Sequence, residues 1–531
     1  MYSKREIVII YAIGKEGPFP DTLTKSLAGV PLLQRAINLA LEITINSQIY
    51  VVSDTEEIDL ISERSGVVSL IKKDLYDLFA NFANESIIVS ISPYCPLLTK
   101  RDIINALKVF KNNKSNFLLP VKRTTKTTVR YREDREIVKY FASNLEKEAV
   151  LTVCPDFHIF SPQVLENNMS SLPSENRTYF ELLSKSIEIR NPEDWWVCEK
   201  FLRRKRIIFR VIGSKTIGMG HIYRALTLAH EITDHEVLFV CDEESEMVVK
   251  KLTGMEYRYE VFSKKGIIEE IIKLQPHLLI NDMLDTKKED VSILRKKNIK
   301  VLNFEDFGTG AIEANLTINE MFDKPVLEGA NILWGKRYYF VRDEFYDAKP
   351  HSFKSKIESL LITFGGTDQN DLTRKILFAV KEYCQRKGIK IFVVTGSGYV
   401  HYEKLKSEAE KFDKSFLEVT HATGVMSRIM EKTPIAIASN GRTVYELAHM
   451  NIPGIIVPVN EREKTHAFAS KKNGFFPLNV FNKNTPNEVL KTLSELVENE
   501  ALRKKHFDRT SGFNFKNNKR NILNKIEELL D

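Results

Sequence analysis

The sequence predicts an α/β protein that contains several parallel sheets, and two observations support this. Short runs of Val, Ile and Leu recur along the chain, for example at 7–10, 49–52, 206–212 and 360–364. Longer amphipathic segments, with apolar residues at three- and four-residue spacing, lie between them. Nearly continuous apolar strands that alternate with helices are typical of parallel sheets covered on both faces.

A chain of 531 residues exceeds the size of a single hydrophobic core. The basic stretch 201–206 and the polar stretch 346–357 mark two seams between strand–helix series. We therefore predict α/β domains at 1–203, 206–345 and 356–480, followed by a helical tail at 481–531. The tail pattern predicts two helices, at 486–498 and 517–530, and the second is expected to fold back onto an earlier domain.

Composition excludes several classes of protein. The formal charge of +7 is mild for this length, and the basic clusters lack interleaved aromatics, so we expect no nucleic-acid partner. The five cysteines show no CxxC spacing, which argues against a zinc site or a disulfide framework and favours a cytoplasmic location. No stretch reaches the roughly 18 apolar residues that a membrane helix needs.

A glycine loop in the second domain is the strongest local signal of chemistry. A strand ends near Ile212, and Gly218-Met219-Gly220 leads into a helix that starts near His221. Glycines permit a sharp turn, and the helix amino terminus favours anions. The same helix end favours a neutral imidazole, which suits a general base. The alternative is a tight structural turn with His221 as a capping residue.

The third domain carries two further loops after apolar strands. Strand 360–364 leads into Gly365-Gly366-Thr367-Asp368, and a later strand leads into Ser439-Asn440-Gly441-Arg442. A helix is predicted to start near Thr443, where small residues suit a diphosphate, with Glu446 one turn in and placed for ribose hydroxyls. Residues 460–465 are expected to form a polar loop at the carboxyl edge of the sheet, the usual ligand side.

In this order and spacing, these segments resemble a known family. Residues 206–480 are similar to the UDP-sugar hydrolase of pseudaminic acid biosynthesis and its spore-coat polysaccharide relatives, which share the two-lobed GT-B fold of the lipid II N-acetylglucosaminyltransferase. The segments that carry the resemblance are SKTIGMGHIYR (214–224), LLINDM (278–283), VLNFEDF (301–307), VRDEFY (341–346), FGGTD (364–368), SNGRTVYEL (439–447) and NEREKTHAFA (460–469).

The resemblance implies a site and a mechanism without metal or other cofactor. UDP would bind the carboxyl lobe, and His221 would activate water for attack at the anomeric carbon of the sugar. Asp282 would orient the sugar or polarise His221, with a simple strand-end carboxylate as the alternative; Arg224 would touch phosphate or lie on the helix surface. The pairs Glu305-Asp306 and Asp343-Glu344, with Arg342, are expected to brace the lobe junction rather than contact sugar. The implied UDP-sugar contacts are Gly218, Gly220, Arg224, Gly365, Gly366, Thr367, Ser439, Asn440, Gly441, Thr443 and Glu446.

The chain departs from the hydrolase pattern just before the glycine loop. That segment of the family commonly reads R-A-D-x-S-x-x-I-G, whereas this chain has Val211-Ile212 in place of Ala-Asp. An acidic contact to the sugar is therefore expected to be absent, which leaves the identity of the sugar and hydrolysis itself open.

The first domain resembles CMP-acylneuraminate synthetases and related spore-coat cytidylyltransferases, which implies a nucleotidyltransferase-like Rossmann-type fold. Lys25 matches a substrate-facing lysine of the family. The segments that carry the resemblance are LTKSLAGVPLLQRAI (23–37), IYVVSDTEEI (49–58), SIIVSISPYCPLLTKRDI (86–103), DFHIFSPQVL (156–165) and SIEIRNPEDWWVCEKFL (186–202).

Catalytic positions of that family are replaced in this chain. The arginine of the first loop is Ile13, a later basic or amide position is Thr22, and Glu16 would repel phosphate. The paired metal-binding acids fall at Glu188 and Arg190, and a guanidinium at a magnesium position is incompatible with that ion. We predict a degenerate cytidylyltransferase-like domain that serves in homodimerisation or in docking a sugar or partner protein.

The leading functional prediction is hydrolysis of a UDP-linked N-acetylated amino sugar in nonulosonic acid or surface polysaccharide biosynthesis. The alternatives are an inverting GT-B glycosyltransferase acting on an acceptor such as flagellin or a lipid-linked glycan, and a bifunctional hydrolase and cytidylyltransferase. A regulator that only binds nucleotide sugar is disfavoured, because the glycine loop, His221 and Glu446 are all present.

Overall fold

The computed structural model describes residues 6–71, 74, 86–113, 116–123, 128–131, 137–141, 151–166, 177–214 and 218–531. Residues 215–217 of the glycine loop lie outside this set. Contacts between Cα atoms divide the chain into two compact units, 1–204 and 205–531.

The first unit is built on an eight-stranded mixed sheet. Its order, β10-β7-β11-β6-β1-β4-β5 with β12 beside β7, contains the 3-2-1-4 arrangement of a Rossmann half, and β11 runs antiparallel between its neighbours. The strands are β1 (Glu6–Ala12), β2 (Ser26–Leu27), β3 (Val30–Pro31), β4 (Ile49–Ser53), β5 (Val68–Ile71), β6 (Ile87–Ile91), β7 (Phe117–Arg123), β8 (Thr128–Tyr131), β9 (Ile137–Phe141), β10 (Leu151–Val153), β11 (Phe157–Phe160) and β12 (Arg177–Glu181).

Most of the described helices of this unit pack against one face of the sheet, and a four-residue helix contributes Val164 to the cluster on the other face. The helices are α1 (Leu32–Leu41), α2 (Glu56–Arg64), α3 (Lys100–Asn113), α4 (Gln163–Glu166) and α5 (Pro192–Leu202), with 3-10 turns at Gly14–Glu16 and Asn46–Gln48. Alternate residues of β1 pack into two separate clusters, Val8 and Ile10 on one side and Ile7 and Ile9 on the other. The apolar run at 7–10 is continuous because both faces of its strand are buried.

The amino lobe of the second unit holds a fully parallel seven-stranded sheet in the order β15-β14-β13-β16-β17-β18-β19. Its strands are β13 (Arg206–Val211), β14 (Glu236–Asp242), β15 (Tyr259–Phe262), β16 (Leu278–Asp282), β17 (Lys300–Phe304), β18 (Leu316–Asn319) and β19 (Ile332–Trp334). Its helices are α6 (Gly220–Ala229), α7 (Glu246–Thr253), α8 (Ile267–Lys273), α9 (Lys288–Lys296) and α10 (Gly310–Glu313), followed by 3-10 turns at Lys336–Tyr338 and Asp343–Phe345.

The carboxyl lobe repeats the same architecture with six parallel strands in the order β22-β21-β20-β23-β24-β25. Its strands are β20 (Ser359–Thr363), β21 (Lys390–Thr395), β22 (Leu417–His421), β23 (Ala436–Ala438), β24 (Gly454–Ile456) and β25 (Phe476–Pro477). Its helices are α11 (Leu372–Lys387), α12 (Tyr402–Ala409), α13 (Met426–Met430), α14 (Thr443–His449), α15 (Glu461–Lys464), α16 (Thr485–Glu498), α17 (Glu500–Thr510) and α18 (Asn518–Leu530), with a 3-10 turn at Lys471–Asn473.

Both lobes of the second unit therefore have the Rossmann strand order 3-2-1-4-5-6, and the GT-B prediction is confirmed. In such a sheet, ligands bind beyond the carboxyl ends of the strands where the order reverses. In the amino lobe that point lies beyond Val211 and Asp282, and in the carboxyl lobe it lies beyond Thr363 and Ala438. The loops singled out by the sequence leave their sheets at these two points.

The two lobes exchange chain segments. Residues Tyr339, Val341 and Phe345, which precede β20, pack in a core cluster of the carboxyl lobe. In return, Ile522 and Ile526 of α18 lie in the core cluster of the amino lobe. The expectation that the last helix folds back onto an earlier lobe is confirmed, and each lobe contributes a segment to the other's core.

Two local predictions were wrong. The tail has a third helix, α17, whose buried Arg503 donates to the carbonyl oxygens of Leu496 at 2.7 Å and Val497 at 3.2 Å. The buried face of α17 includes polar side chains, so apolar spacing did not reveal it. Residues 461–464 form a short helix rather than a loop, because the Asn460 side chain accepts the Glu463 N–H.

The packing of α18 gives a stability prediction. Ile522→Ala removes a fully buried side chain from the amino-lobe core, so we expect the free energy of unfolding of this unit to fall by about 2–4 kcal/mol. Urea denaturation is the measurement. Ile293→Ala, at a position that is 43% exposed, is the control and should cost less than about 0.5 kcal/mol; equal effects would contradict the packing.

Candidate active site

The glycine loop places His221 where the two lobes come together: a Cβ on the preceding Gly220 would lie 3.9 Å from Cδ of Arg442. Gly218 has a φ of +88°, a left-handed conformation that side-chain-bearing residues rarely adopt. The next residues start α6 at Gly220, and no side chain caps its first turn. His221 therefore lies in the first turn, with its imidazole partly exposed.

The imidazole of His221 is oriented by a buried carboxylate. Its Nδ1 lies 2.8 Å from Oδ1 of Asp282, whose side chain is fully buried at the end of β16. Among the described residues, His221 has no other hydrogen-bond partner. A carboxylate at Nδ1 holds the proton on that nitrogen and leaves Nε2 as the basic atom.

Asp282 is itself gripped by Arg224. The guanidinium donates from Nε to Oδ2 at 2.8 Å and from Nη2 to Oδ1 at 2.6 Å, a bidentate fork. Its third nitrogen, Nη1, donates to Oε1 of Glu320 at 2.9 Å. One turn of α6 separates His221 from Arg224, so both side chains reach the same carboxylate.

These contacts correct one sequence prediction and agree with another. Arg224 is 3% exposed and its nitrogens bind carboxylates, so it neither touches a phosphate nor lies on the helix surface. The fully buried Asp282 contacts His221, which agrees with the alternative that it polarises the base. The apolar run of β16 gave no sign that its last residue is buried in an ion cluster.

Charge pairing keeps Asp282 ionised. Burial raises the pKa of this carboxyl, but the charge and hydrogen bonds of Arg224, with a smaller contribution from His221, outweigh burial and lower it to about 2. The pKa of Arg224 is raised, because Asp282 and Glu305 more than offset its own desolvation. The cluster therefore provides a permanent negative charge behind His221 at neutral pH.

Glycine loops of the two lobes approach each other closely. Gly365, which follows β20, has a φ of +77°. A Cβ on Gly366 would lie 3.3 Å from the amide nitrogen of Met219. A Cβ on Gly396, after β21, would lie 2.4 Å from Cα of Gly366, which backbone atoms cannot relieve. Sequence reasoning missed Gly396, although Gly396-Ser397-Gly398 directly follows an apolar strand.

The starts of α11 and α14, which both follow strands of the carboxyl lobe, differ in their free N–H donors. At α11, the Asp368 carboxylate accepts the N–H groups of Leu372 at 2.8 Å and Thr373 at 2.7 Å. At α14, no side chain caps the first turn, and within the described residues no acceptor is recorded for the N–H groups of 441–443. An anion would therefore find free backbone donors at α14 and not at α11.

Hydrogen bonds to residues 463–466 hold the loop before α14 in place. The Asn440 side chain donates to the carbonyl oxygens of Glu463 at 2.7 Å and His466 at 3.0 Å, and the Glu463 carboxylate accepts the Asn440 N–H at 3.1 Å. The predicted role of Asn440 in binding UDP is thereby corrected for its side chain, which holds 463–466 in place. Ser439 is buried beside it, whereas Gly441 and Thr443 are partly exposed.

Glu446 lies one turn into α14 and is held by Arg342. The Nε of Arg342 donates to Oε1 of Glu446 at 2.9 Å, and its Nη2 lies 3.2 Å from Glu344. Glu344 in turn accepts the Ser427 N–H at 3.0 Å. The segment 342–344 thus contacts protein groups of the carboxyl lobe, in the bracing arrangement that the sequence predicts.

Two carboxyl-lobe arginines cross to the amino lobe, and sequence reasoning missed both. Arg442 pairs with the buried Glu320 and donates to the Phe340 carbonyl at 3.1 Å. Arg462 donates to the Glu305 carbonyl at 2.7 Å and lies 3.3 Å from Asp285. Sequence spacing gives no sign of such contacts, because each joins residues more than 100 positions apart.

In the first unit, the loop that would bind a triphosphate is occupied by the chain itself. The N–H of Gly14 donates to Oδ1 of Asp54 at 2.6 Å, and the N–H of Lys15 donates to Oδ2 at 3.1 Å. Lys25 donates to the Pro20 carbonyl at 2.9 Å. A carboxylate fills the donors that phosphate oxygens would use, in agreement with the predicted loss of nucleotidyl transfer.

The former metal position is also neutralised. Nε of Arg190 lies 2.5 Å from Oε2 of Glu188, so the acid that remains is paired with a guanidinium. Asp156 is 1% exposed and bonded to the Ser186 hydroxyl, and burial raises its pKa. Of the described carboxylates at this position, Glu188 is paired with Arg190 and Asp156 is buried against Ser186, so they do not form the open pair that a magnesium ion needs.

Comparison with known proteins supports the resemblance of the second unit. Residues 359–525 match the glycosyltransferase family 28 C-terminal domain. A UDP-2,4-diacetamido-2,4,6-trideoxy-β-L-altropyranose hydrolase of Campylobacter jejuni is 26% identical over 276 residues, which are 50% of this chain and 97% of the relative. The spore coat polysaccharide biosynthesis protein SpsG of Bacillus subtilis is 23% identical over 265 residues, 48% of this chain and 78% of SpsG.

A third relative is the uncharacterized protein MJ1062 of Methanocaldococcus jannaschii. It is 24% identical over 270 residues, which are 48% of this chain and 55% of the relative. The match thus spans about half the length of that protein. Together these similarities support a glycosyltransferase-like second unit.

In the part of the chain that the structure describes, none of the helices combines the length and the apolar character needed to cross a membrane.

The low pKa of Asp282 has a measurable consequence for stability. Its folded-state pKa is depressed from 3.8 to about 2, so its ionised form stabilises the fold above about pH 4, and this contribution is lost as the pH falls toward 2. We expect the difference in unfolding free energy between wild type and Asp282→Asn to shrink by about 2–3 kcal/mol over that range. Urea titrations at pH 2–5 measure it; a constant difference would contradict the pairing.

The occupied loop of the first unit predicts that Mg²⁺–CTP does not bind. Isothermal titration calorimetry of the full chain should give a dissociation constant weaker than about 1 mM. The control is a melting curve of the same sample, in which a cooperative transition shows that the protein is folded. Saturable binding at micromolar CTP would show that Asp54 does not exclude phosphate.

Proposed function

We propose that the second unit hydrolyses a UDP-linked N-acetylated amino sugar, with His221 as general base. The observation that carries the proposal is the 2.8 Å contact between Nδ1 of His221 and the buried, ionised Asp282. It makes Nε2 the basic atom of an imidazole that lies in a cleft between two Rossmann lobes. The similarity to the Campylobacter hydrolase supports the choice of reaction.

In the proposed reaction, Nε2 of His221 takes a proton from a water molecule as its oxygen attacks the anomeric carbon. The bond between that carbon and the diphosphate oxygen breaks, and UDP leaves with the bonding electron pair. Asp282 stabilises the imidazolium that forms, and Arg224 prevents Asp282 from taking the proton. No metal or other cofactor is part of the proposal.

In this proposal UDP binds at the uncapped start of α14. The backbone donors of 441–443, with the Thr443 hydroxyl, would bind the diphosphate. Glu446 would accept hydrogen bonds from the ribose, with Arg342 holding its carboxylate at 2.9 Å. Gly218, Gly220, Gly365, Gly366 and Thr367 would line the cleft where the glycine loops meet. Ser439 would support the loop from within the protein, since it is buried.

A second candidate is an inverting glycosyltransferase that uses the same base. The observation that favours it is the segment after β13, where Val211 is fully buried and Ile212 is 8% exposed in place of an alanine and an acid. A carboxylate is therefore missing where the hydrolase pattern places one. In that case His221 would deprotonate an acceptor hydroxyl instead of water. Processing of a nucleotide sugar for polysaccharide biosynthesis is common to both candidates.

The deciding experiment measures UDP release from a panel of UDP-N-acetylated amino sugars. We expect His221→Ala to lower kcat/KM by about 10²–10⁴-fold, because general-base catalysis is lost. His230→Ala is the matched control: His230 follows the same helix, is exposed and contacts Asp343 at 3.1 Å, so its activity should stay within about twofold.

Mass spectrometry in ¹⁸O-water distinguishes the two candidates. Hydrolysis predicts free sugar with one ¹⁸O at the anomeric carbon, formed in step with UDP. If UDP binds but no donor releases sugar in the absence of an acceptor, the hydrolase proposal fails and the result favours the transferase candidate.

A further inference from the structure

The buried ion cluster behind His221 extends beyond the amino lobe. Oε1 of Glu320 accepts from Nη1 of Arg224 at 2.9 Å and also pairs with Nη1 of Arg442. Glu320 is fully buried, and it follows β18 of the amino lobe. Arg442 belongs to the carboxyl lobe. One carboxylate oxygen thus joins two guanidinium groups from different lobes.

Arg442 lies at the start of α14, where the nucleotide is proposed to bind. It immediately precedes Thr443, the first residue of α14. Its carbonyl accepts the Tyr339 hydroxyl at 3.0 Å, and its guanidinium stacks 4.6 Å from the centre of the Tyr339 ring. Burial and the charge of Arg224 lower the pKa of Arg442 to about 10, still far above neutrality, so it remains a cation.

The contacts form a continuous path of charged groups. It runs from Arg442 through Glu320 and Arg224 to Asp282, and ends at Nδ1 of His221. The stem of Arg442 also passes close to the helix that carries the base, since a Cβ on Gly220 would lie 3.9 Å from its Cδ. A shift of the backbone at 441–443 would therefore be felt by Glu320 and, through Arg224, by the carboxylate that orients His221.

We infer that Arg442 is a positioning residue that couples nucleotide occupancy of the carboxyl lobe to the orientation of His221. Binding of a nucleoside diphosphate at 441–443 fixes the Arg442 backbone, and the Glu320–Arg224–Asp282 chain then holds the imidazole in its reactive orientation. The inference rests on the proposed function for its catalytic meaning. The coupling itself is a property of the folded protein and needs no turnover to be measured.

Several polar atoms of the cluster lack a hydrogen-bond partner in the described part of the chain, so the network is able to rearrange. Among the described residues, Oε2 of Glu320 and Oε2 of Glu305 are buried without a hydrogen-bond partner. Nη1 of Arg224 lies 3.9 Å from Oε1 of Glu305, a longer contact than its bond to Glu320. Nη1 of Arg442 likewise makes an ion pair with Glu320 but no hydrogen bond to a described residue, so the cluster holds both unpaired acceptors and an unpaired donor. Such a cluster can re-pair when one cation moves, whereas a fully satisfied network resists change.

The test compares Arg442→Gln with wild type in full-length protein labelled with ¹⁵N-histidine. The first readout is the Nδ1–H resonance of His221, assigned with His221→Ala, before and after addition of UDP. In wild type we expect UDP to shift or sharpen this resonance. In Arg442→Gln the response should be lost, while the dissociation constant for UDP changes by less than about threefold.

Kinetics supply the second readout. With a turned-over donor, Arg442→Gln should lower kcat by about 10–100-fold and leave KM nearly unchanged, because a residue behind the base is lost and no substrate contact is. Arg442→Lys keeps the cation beside Glu320 and should restore part of kcat. Arg462→Gln is the matched control, since Arg462 also crosses between the lobes but contacts Asp285, the Glu305 carbonyl and the Phe307 ring instead of Glu320. It should leave the His221 resonance unchanged.

Two results would overturn the inference. A His221 response to UDP that persists in Arg442→Gln would show that the path carries no coupling. Loss of UDP affinity by tenfold or more with kcat unchanged would make Arg442 a phosphate ligand instead. If wild-type His221 responds to UDP through Arg442 but no donor is hydrolysed, the proposed function fails and the coupling stands.

Discussion

The second unit depends on the bidentate pair between Arg224 and Asp282. A buried carboxylate alone would be neutralised by protonation, since desolvation disfavours its charge. The guanidinium keeps Asp282 ionised, and an ionised Asp282 is what fixes the tautomer of His221. The same guanidinium ties Glu320 into the cluster, so the base, the amino-lobe sheet and the carboxyl-lobe Arg442 share one set of charges.

Such a cluster is stable only if the lobes keep their relative position, and the chain path provides for this. The segment around Tyr339 and Phe345 packs in the carboxyl-lobe core, whereas α18 returns to the amino-lobe core through Ile522 and Ile526. The Asn518 side chain adds a hydrogen bond to the Tyr339 carbonyl at 2.8 Å. Tyr339 belongs to the first crossing, accepts from Asn518 of the second and stacks on Arg442, so packing and electrostatics meet at this residue.

In the first unit, side chains take the positions that its resemblance to cytidylyltransferases assigns to bound ligands. Asp54 takes the backbone donors of Gly14 and Lys15, and Arg190 takes the carboxylate of Glu188. The Asp54 carboxylate takes the place that the resemblance assigns to phosphate, and the Arg190 guanidinium takes the place that it assigns to a metal ion. The sheet and its two cores persist, because the hydrophobic pattern that specifies them does not involve these residues.

The sequence by itself determined the strand–helix alternation, the three sheets and the loops that leave them, because buried parallel strands and helix starts have strong local patterns. It also predicted His221 as the base and the return of the last helix. Only the tertiary structure decided the partners of His221. Arg224 and Asn440 had been expected to touch UDP, and both are instead buried supports. Arg224 and Asp282 pair across 58 residues of chain, and Glu320 and Arg442 pair across more than a hundred. Charge pairing over such separations follows from the packing of the sheets and not from any local spacing.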